Sequence, residues 1–123
     1  MNCFDLNAIE RIIQAGIDEQ NNPEIMGVIY SLGRDAQNEE EYEYSYHKIL
    51  RLYHLGTTGV RAYCVLGLSM MAIYHKKLDE SVISIIEKEL TQAEGKNLSI
   101  VKDAVEDINF AMGWNIRIPN ESI

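Results

Sequence analysis

The sequence predicts an all-α protein of about six helices joined by short connections. Only two prolines occur, Pro23 and Pro119, so the long stretch between them lacks the residue that most strongly breaks helices. Apolar residues in that stretch recur at intervals of three and four, which places them on one face of a helix. Short connections favour antiparallel hairpins that pair the first helix with the second, the third with the fourth and the fifth with the sixth.

The first two predicted helices are separated by the pair Asn22–Pro23. Asn is a favoured N-cap and Pro suits the first helical position, so the second helix begins there and runs to about Gln37. The first helix spans about 5–19. The predicted buried stripes are Ile9, Ile12, Ile13 and Ile17 in the first helix, and Ile25, Met26, Ile29, Leu32 and Gly33 in the second.

The third and fourth predicted helices meet at Gly56. Asn38 caps the third helix, and Gly56 ends it as a residue type favoured in a left-handed exit. The fourth helix begins at Thr57 or Thr58 and runs through Tyr74. It is apolar nearly all round, so we expect other helices to surround it at the centre of the core. The stripe of the third helix is Tyr42, Tyr46, Ile49, Leu50 and Tyr53.

The last two predicted helices are separated by Gly95. Asp79 caps the fifth helix, and either Asn97 or Ser99 opens the sixth. Gly113 ends the sixth helix, and Trp114 is placed to fold back on it. The predicted organisation is a single helical domain over 1–114, followed by an irregular tail over 115–123. The predicted stripes are Val82, Ile83, Ile86 and Leu90 in the fifth helix, and Ile100, Val101, Ala104, Val105, Ile108 and Met112 in the sixth.

A loose internal repeat accompanies these helices. The segment 58–71, which opens with Thr-Gly-Val-Arg-Ala-Tyr, resembles the second helix of a HEAT-type repeat, and 100–112 looks like a weaker copy about 41 residues further on. The two segments align Val60 with Val101 and Arg61 with Lys102, but Leu66 falls on Asp107. The resemblance implies a short HEAT-like stack, with a plain helical bundle as the alternative.

The charge balance restricts the partners. Nineteen acidic residues against eleven basic ones give a net charge of −8 and a pI near 4.8. Such a surface repels phosphate backbones and anionic lipids, which argues against a nucleic-acid or membrane ligand, and it attracts basic proteins. Simple solubility is the alternative explanation. The two cysteines, Cys3 and Cys64, lie far apart in the sequence and are predicted to be free thiols. No secretory signal and no apolar run of membrane length is apparent, so a cytoplasmic location is predicted.

No motif for catalysis or for a cofactor is apparent. The glycines are scattered, so no phosphate-binding loop can be drawn, and two distant cysteines cannot form a zinc cluster. His47 and His54 lie seven residues apart with Arg51 between them, so a Glu43–His47 pair on a solvated face is favoured over a metal site. We therefore predict no metal, no cofactor, no catalytic residue and no enzymatic activity.

Two further sets of residues have a structural interpretation. The carboxylates of Glu87, Glu89 and Glu94, like those of Asp103, Glu106 and Asp107, are predicted to lie on solvated polar faces and not in an acid–base site. Tyr63, Met70, Met71 and Trp114 could line a ligand pocket. The core is the favoured location for them, because Met fills irregular gaps between helices.

The start of the third helix is the strongest candidate for a binding surface. Tyr42 and Tyr46 share its inner face, whereas Tyr44 projects elsewhere with Glu40 and Glu41 as expected neighbours. Tyrosine is enriched in binding hot spots, and surrounding carboxylates speed association with a cationic partner. A charged helix start with no partner is the alternative. The predicted partner-binding residues are Glu39, Glu40, Glu41, Glu43 and Tyr44, with Asp103, Glu106 and Asp107 as a second candidate surface.

Small size, high acidity and missing catalytic motifs make the chain similar in style to bacterial immunity proteins of contact-dependent or colicin-type systems. The resemblance implies a tight one-to-one complex in which the chain covers the basic active site of a cognate toxin domain, and a nuclease fits this description best. Two other hypotheses stay open. One is a HEAT-like adaptor that binds a peptide or regulatory partner in a groove between hairpins. The other is an enzyme or ligand-binding domain.

Overall fold

The computed structural model describes residues 10, 11, 14, 23–56 and 58–118. Within these ranges the chain forms helices and no strand, which confirms the all-α class. Most of the first predicted helix, 5–19, lies outside the described residues. Its three described residues, 10, 11 and 14, are helical. The helices with described bounds are α1 (Pro23–Asp35), α2 (Glu39–Leu55), α3 (Thr58–His75), α4 (Val82–Gln92) and α5 (Gly95–Met112).

The inner face of α1 follows the predicted stripe with one exception. Ile25, Ile29 and Leu32 are buried, as their spacing of three and four predicts. Met26 is 37% exposed, so its assignment to the stripe is wrong. Consecutive residues are about 100° apart around a helix, so Met26 points away from the inner face on which Ile25 lies. The predicted cap Asn22 lies outside the described residues.

α2 begins and ends where it was predicted to, but its last turn leads into an unexpected backbone conformation. The side chain of Asn38 accepts a hydrogen bond from the Glu41 amide at 2.8 Å, which confirms the N-cap. Gly56 follows the helix with φ −85° and ψ 165°, so the expected left-handed exit is wrong. A Cβ at this position would lie 2.6 Å from Val60 Cγ1 and 2.7 Å from the Leu52 carbonyl oxygen. Gly56 therefore serves the close approach between the end of α2 and the start of α3.

α3 occupies the centre of the fold, as its apolar composition predicted. It contacts each of the other four helices with described bounds, and α1 and α5 most extensively. The backbones of α1 and α3 come very close at two glycines. A Cβ on Gly33 would lie 2.3 Å from the Gly67 carbonyl oxygen, and a Cβ on Gly67 would lie 2.7 Å from Ile29 Cγ2. The buried residues of α3 are Val60, Ala62, Cys64, Val65, Leu68, Ser69, Met70, Met71 and Ala72.

α4 starts later in the sequence than predicted, and α5 starts earlier than predicted. Asp79 accepts a hydrogen bond from the Ser81 amide at 2.8 Å and so organises a turn that precedes α4. Gly95 has a φ of +56° and is itself the first residue of α5, so the prediction that Asn97 or Ser99 opens this helix is wrong. The left-handed glycine turns the chain sharply enough that a new helix starts without a longer loop.

The end of α5 is stabilised by the segment that follows it. Gly113 adopts the predicted left-handed conformation, with φ +68°. Trp114 is half-buried against the core, as expected. The Asn109 side chain donates a hydrogen bond to the Ile116 carbonyl and accepts one from its amide, both at 2.9 Å. Ile116 is thereby held in the core, while residues 119–123 of the predicted tail lie outside the described residues.

The glycine contact between α1 and α3 leads to a stability prediction. We expect Gly33→Ala to lower the free energy of unfolding by roughly 2–3 kcal/mol, because the new methyl group would clash with backbone in a packed interface. Gly27→Ala is the matched control in the same helix. Nothing lies within 4 Å of a Cβ at Gly27, so we expect helix propensity to raise the stability by about 0.5–1 kcal/mol. Urea denaturation followed by circular dichroism measures both changes, and equal effects would refute the proposed close contact.

Candidate functional site

The acidic segment of α2 comprises Glu39, Glu40, Glu41, Glu43 and Tyr44, all in the first two turns of the helix. Glu41 takes part in capping, because its Oε1 accepts a hydrogen bond from the Gln37 amide at 2.9 Å while its own amide donates to Asn38. Glu39 forms an ion pair with Lys77, which follows α3. Two of the four carboxylates are therefore engaged within the protein.

The remaining carboxylates of this segment point outwards. Glu43 and His47 are exposed, and Glu43 Oε1 lies 3.9 Å from His47 Nε2, which confirms the predicted pair. Glu40 is also exposed and has no ion pair within the described part of the chain. Glu40 and Glu43 are thus the two carboxylates of the acidic segment of α2 that remain exposed without a tight contact among the described residues.

Tyr44 does not project freely from α2. Its side chain is half-buried, and its hydroxyl donates a hydrogen bond to Glu10 Oε2 at 2.8 Å. The same carboxylate oxygen lies 2.7 Å from Lys48 Nζ, and that ammonium group is 5.4 Å from the centre of the Tyr44 ring. Burial is the main cause that raises the pKa of Tyr44. The expectation of an outward-facing aromatic contact is therefore wrong, because Tyr44 connects α2 to the helical residue Glu10.

The acidic face of α5 comprises Asp103, Glu106 and Asp107. All three side chains are exposed, as predicted, and within the described ranges none forms an ion pair. The opposite face of α5 is fixed in the core by Val101, Ala104, Val105 and Ile108, all completely buried. This face therefore presents three unneutralised carboxylates on a helix that the core holds in place.

Phe110 lies next to this acidic face and was not singled out from the sequence. Its side chain is 91% exposed, which makes it the most exposed large hydrophobic side chain among the described residues. The spacing in the sequence indicated this exposure. Position 110 is about 200° around the helix from Ile108, so it lies opposite the buried stripe. The phenylalanine was overlooked because an apolar residue in an amphipathic helix is expected to lie inside.

Glu89 is completely buried, so the prediction that it lies on a solvated face is wrong. Its Oε1 accepts hydrogen bonds from the Tyr53 hydroxyl at 3.0 Å, Arg61 Nε at 3.2 Å and Gln92 Nε2 at 2.9 Å. Burial and the bond to Glu89 raise the pKa of Tyr53 to about 12. Glu89 lies three residues after the buried Ile86, in phase with the stripe of α4, and this spacing could have revealed its burial.

A shallow cleft opens between the loop that joins α1 to α2 and the end of α3. Its volume is about 350 Å³. Lys77 Nζ lies 4.7 Å from the centre of the Tyr42 ring, which forms an edge-on contact with His75 at 5.6 Å. The Nε2 atom of His75 is buried and has no hydrogen-bond partner in the described part of the chain. The lining residues are Ala36, Gln37, Asn38, Glu39, Tyr42, Tyr74, His75 and Lys77.

Other chemistries find little support in the geometry of the described ranges. No group of three His, Cys, Asp or Glu side chains there is arranged to hold a metal ion. Met70 and Met71 are buried in α3 rather than lining an open pocket. The Cys64 thiol is buried, which raises its pKa and keeps it unreactive. No helix among these residues is long and apolar enough to cross a bilayer.

Comparisons with known proteins do not identify the chain. No protein-family model, no curated protein and no solved structure matches it. The features of the described residues that bear on function are the two acidic surfaces, Phe110 and the cleft. The resemblance to immunity proteins rests on size, charge and missing catalytic motifs.

The buried network around Glu89 leads to a second stability prediction. We expect Glu89→Ala to lower the free energy of unfolding by about 2–4 kcal/mol, because Tyr53 and Arg61 lose their shared acceptor and a cavity forms. Glu87→Ala on the exposed side of α4 is the control, with an expected change within about 0.5 kcal/mol. Thermal and urea denaturation measure both variants. Equal stabilities would show that the buried carboxylate contributes nothing.

The Glu10–Lys48 pair leads to a prediction about pH. Hydrogen bonding to Lys48 is the main cause that lowers the pKa of Glu10 below its ordinary value of 4.5. This pair therefore stabilises the fold above that value, and the contribution is lost as the pH falls through the lowered pKa. We expect Glu10→Gln to flatten the decline of the unfolding free energy between about pH 5 and pH 3. Lys48→Gln should flatten it only in part, because Tyr44 and Arg51 still lower the pKa of Glu10, and the double variant should match Glu10→Gln. Additive effects would contradict a shared pair.

Proposed function

We propose that this protein is an inhibitor that binds a basic toxin domain, a nuclease fitting best, and covers its active site. The single observation that carries the proposal is the acidic face of α5, where three exposed carboxylates have no cationic partner among the described residues. A nuclease cleft is lined with Lys and Arg because it must attract phosphates. An array of carboxylates on a fixed helix can occupy such a cleft in place of the substrate.

The acidic face of α5 supports this role better than the acidic segment of α2. Within α2, Glu39 is paired with Lys77, Glu41 caps the helix and Tyr44 is bonded to Glu10. Contacts to those groups would have to displace bonds that already exist. We assign Asp103, Glu106 and Asp107 the main contact, and Glu40 and Glu43 a supporting one.

As an inhibitor of this kind, the protein acts in the cytoplasm and catalyses no reaction itself. It requires no cofactor, and it binds neither nucleic acid nor membrane. The net charge of −8 supports the last point, since like charges repel at close range. The helices are further proposed to form antiparallel hairpins in a HEAT-like stack. The extensive contacts of α3 with α1 and α5 support this arrangement, because these are the second helices of the three predicted hairpins.

A HEAT-like adaptor is the second candidate function. The observation that favours it is the cleft of about 350 Å³ beside Tyr42 and Tyr74, the latter 56% exposed. An open cleft between helix ends with exposed aromatic surface can receive a side chain from a bound peptide. Such a partner would not need to be basic, so the two functions differ in the salt dependence of binding and in the surface required.

Salt dependence is the first test of the inhibitor proposal. The probe is the candidate toxin domain, taken as the Lys- and Arg-rich polypeptide that co-purifies with this chain from the cells that produce it, and its rate of association is measured by biolayer interferometry. We expect the rate to fall at least about tenfold between about 50 mM and 500 mM NaCl, because salt screens the attraction between exposed charges. The same complex should inhibit the domain's nuclease activity at a one-to-one ratio. No binding, or an association rate independent of salt, would refute the proposal.

Three variants with equal charge changes locate the contact. One carries Asp103→Asn, Glu106→Gln and Asp107→Asn, the second carries Glu39→Gln, Glu40→Gln and Glu43→Gln, and the third carries Glu80→Gln, Glu87→Gln and Glu94→Gln as a control. Each loses three negative charges, so differences among them report position and not net charge. We expect the largest drop in association rate for the α5 variant. The adaptor interpretation would be favoured if Tyr74→Ala weakened binding and none of the charge variants did.

A further inference from the structure

Phe110 has no role in the core that would explain its residue type. The side chains that anchor α5 are Val101, Ala104, Val105 and Ile108, and Phe110 lies on the other side with 91% of its surface exposed. Any polar residue would fit the helix equally well at this position. Covering this ring would be favourable, because removing apolar surface from water lowers the free energy.

The immediate surroundings of Phe110 are acidic. Asp107 and Glu106 lie three and four residues before it, and Asp103 lies seven before it, so all four side chains share one side of α5. An apolar group with charged groups along its border has the composition of a binding hot spot, in which a central anchor enters a pocket and a polar rim excludes water. The surface therefore combines an anchor with a negative rim.

The charge of this surface argues against a second copy of the same chain as the occupant. A symmetric contact through Phe110 would bring two sets of three carboxylates together, and like charges at an interface are unfavourable. The other exposed apolar side chains, Met26, Leu55 and Tyr74, lie on different helices.

We infer that Phe110 is the anchor residue by which α5 docks into an apolar pocket bordered by Lys and Arg side chains on a protein partner. The inference rests on the proposed function for the basic character of that partner, and it adds an apolar pocket beside the cationic groups. The carboxylates of Asp103, Glu106 and Asp107 pair with the border. The ring of Phe110 enters the pocket. Charge then sets the rate of association, and the buried ring sets the rate of dissociation.

The first test uses a synthetic helical peptide made of leucine and lysine, which offers an apolar strip bordered by cations. Binding is measured by fluorescence anisotropy at about 50 mM NaCl, where charge attraction is strong. We expect Phe110→Ala to weaken binding at least about fivefold, in the range typical of a lost anchor. Leu55→Ala is the matched control, because it removes another exposed apolar side chain (53% exposed) from α2 and should leave the affinity unchanged. Equal affinities for wild type and Phe110→Ala would overturn the inference.

The second test uses the chain in the cells that produce it. A photoreactive benzoylphenylalanine replaces Phe110, and irradiation links it to whatever covers that position. We expect a covalent adduct with one Lys- and Arg-rich polypeptide, whose purified form must bind Phe110→Ala at least about tenfold more weakly than wild type, through faster dissociation. An adduct of this chain with itself, or no adduct, would overturn the inference. Circular dichroism must show that the variant remains helical, which we expect because position 110 is exposed.

The outcomes separate this inference from the proposed function. Loss of binding in the triple α5 charge variant, with Phe110→Ala unaffected, would remove the anchor and leave the inhibitor proposal intact. Loss of binding in Phe110→Ala with no dependence on salt would support an apolar anchor and refute a basic partner. Weakened association in the charge variant together with faster dissociation in Phe110→Ala is the result expected if both are right.

Discussion

The fold depends on the contact between the backbones of α1 and α3 at Gly33 and Gly67. Neither position has room for a methyl group, so the two helices lie closer than ordinary side chains allow. Because α1 and α3 are so close, the rest of the α3 surface remains accessible to α2, α4 and α5. α3 contacts all three of these helices. A helix that is apolar nearly all round can be stable in water only under such cover.

Several of the protein's carboxylates make contacts within its own structure. Glu89 receives three hydrogen bonds in the core and links α2, α3 and α4, and Glu41 caps α2. Glu10 joins Lys48 and Tyr44, and Glu39 pairs with Lys77. Each of these carboxylates has a local structural explanation, so the count of nineteen acidic residues overstates the number of carboxylates that the surface offers to a partner.

The carboxylates of α5 have no such explanation. Asp103, Glu106 and Asp107 stand on the outer side of a helix whose inner side is completely buried, and Phe110 extends the same outer side. A fixed helix holds these groups in a constant arrangement, which reduces the entropy lost on binding. Fixed geometry, three carboxylates without an ion pair among the described residues, and one exposed ring distinguish this surface from the acidic segment of α2, where Glu39, Glu41 and Tyr44 already have partners.

Local propensity and spacing along one helix were enough to predict the helical class, the central position of α3, the Asn38 cap and the turn at Gly113. Spacing could place Glu89 on the inner face of α4, but it could not identify Tyr53 and Arg61 as its partners or attach Tyr44 to Glu10, since these contacts depend on which side chains other helices bring near. The start of α5 at Gly95 and the role of Gly56 also required the structure. Only the tertiary arrangement decided which acids are neutralised and which face water, because that depends on distances between residues far apart in the chain.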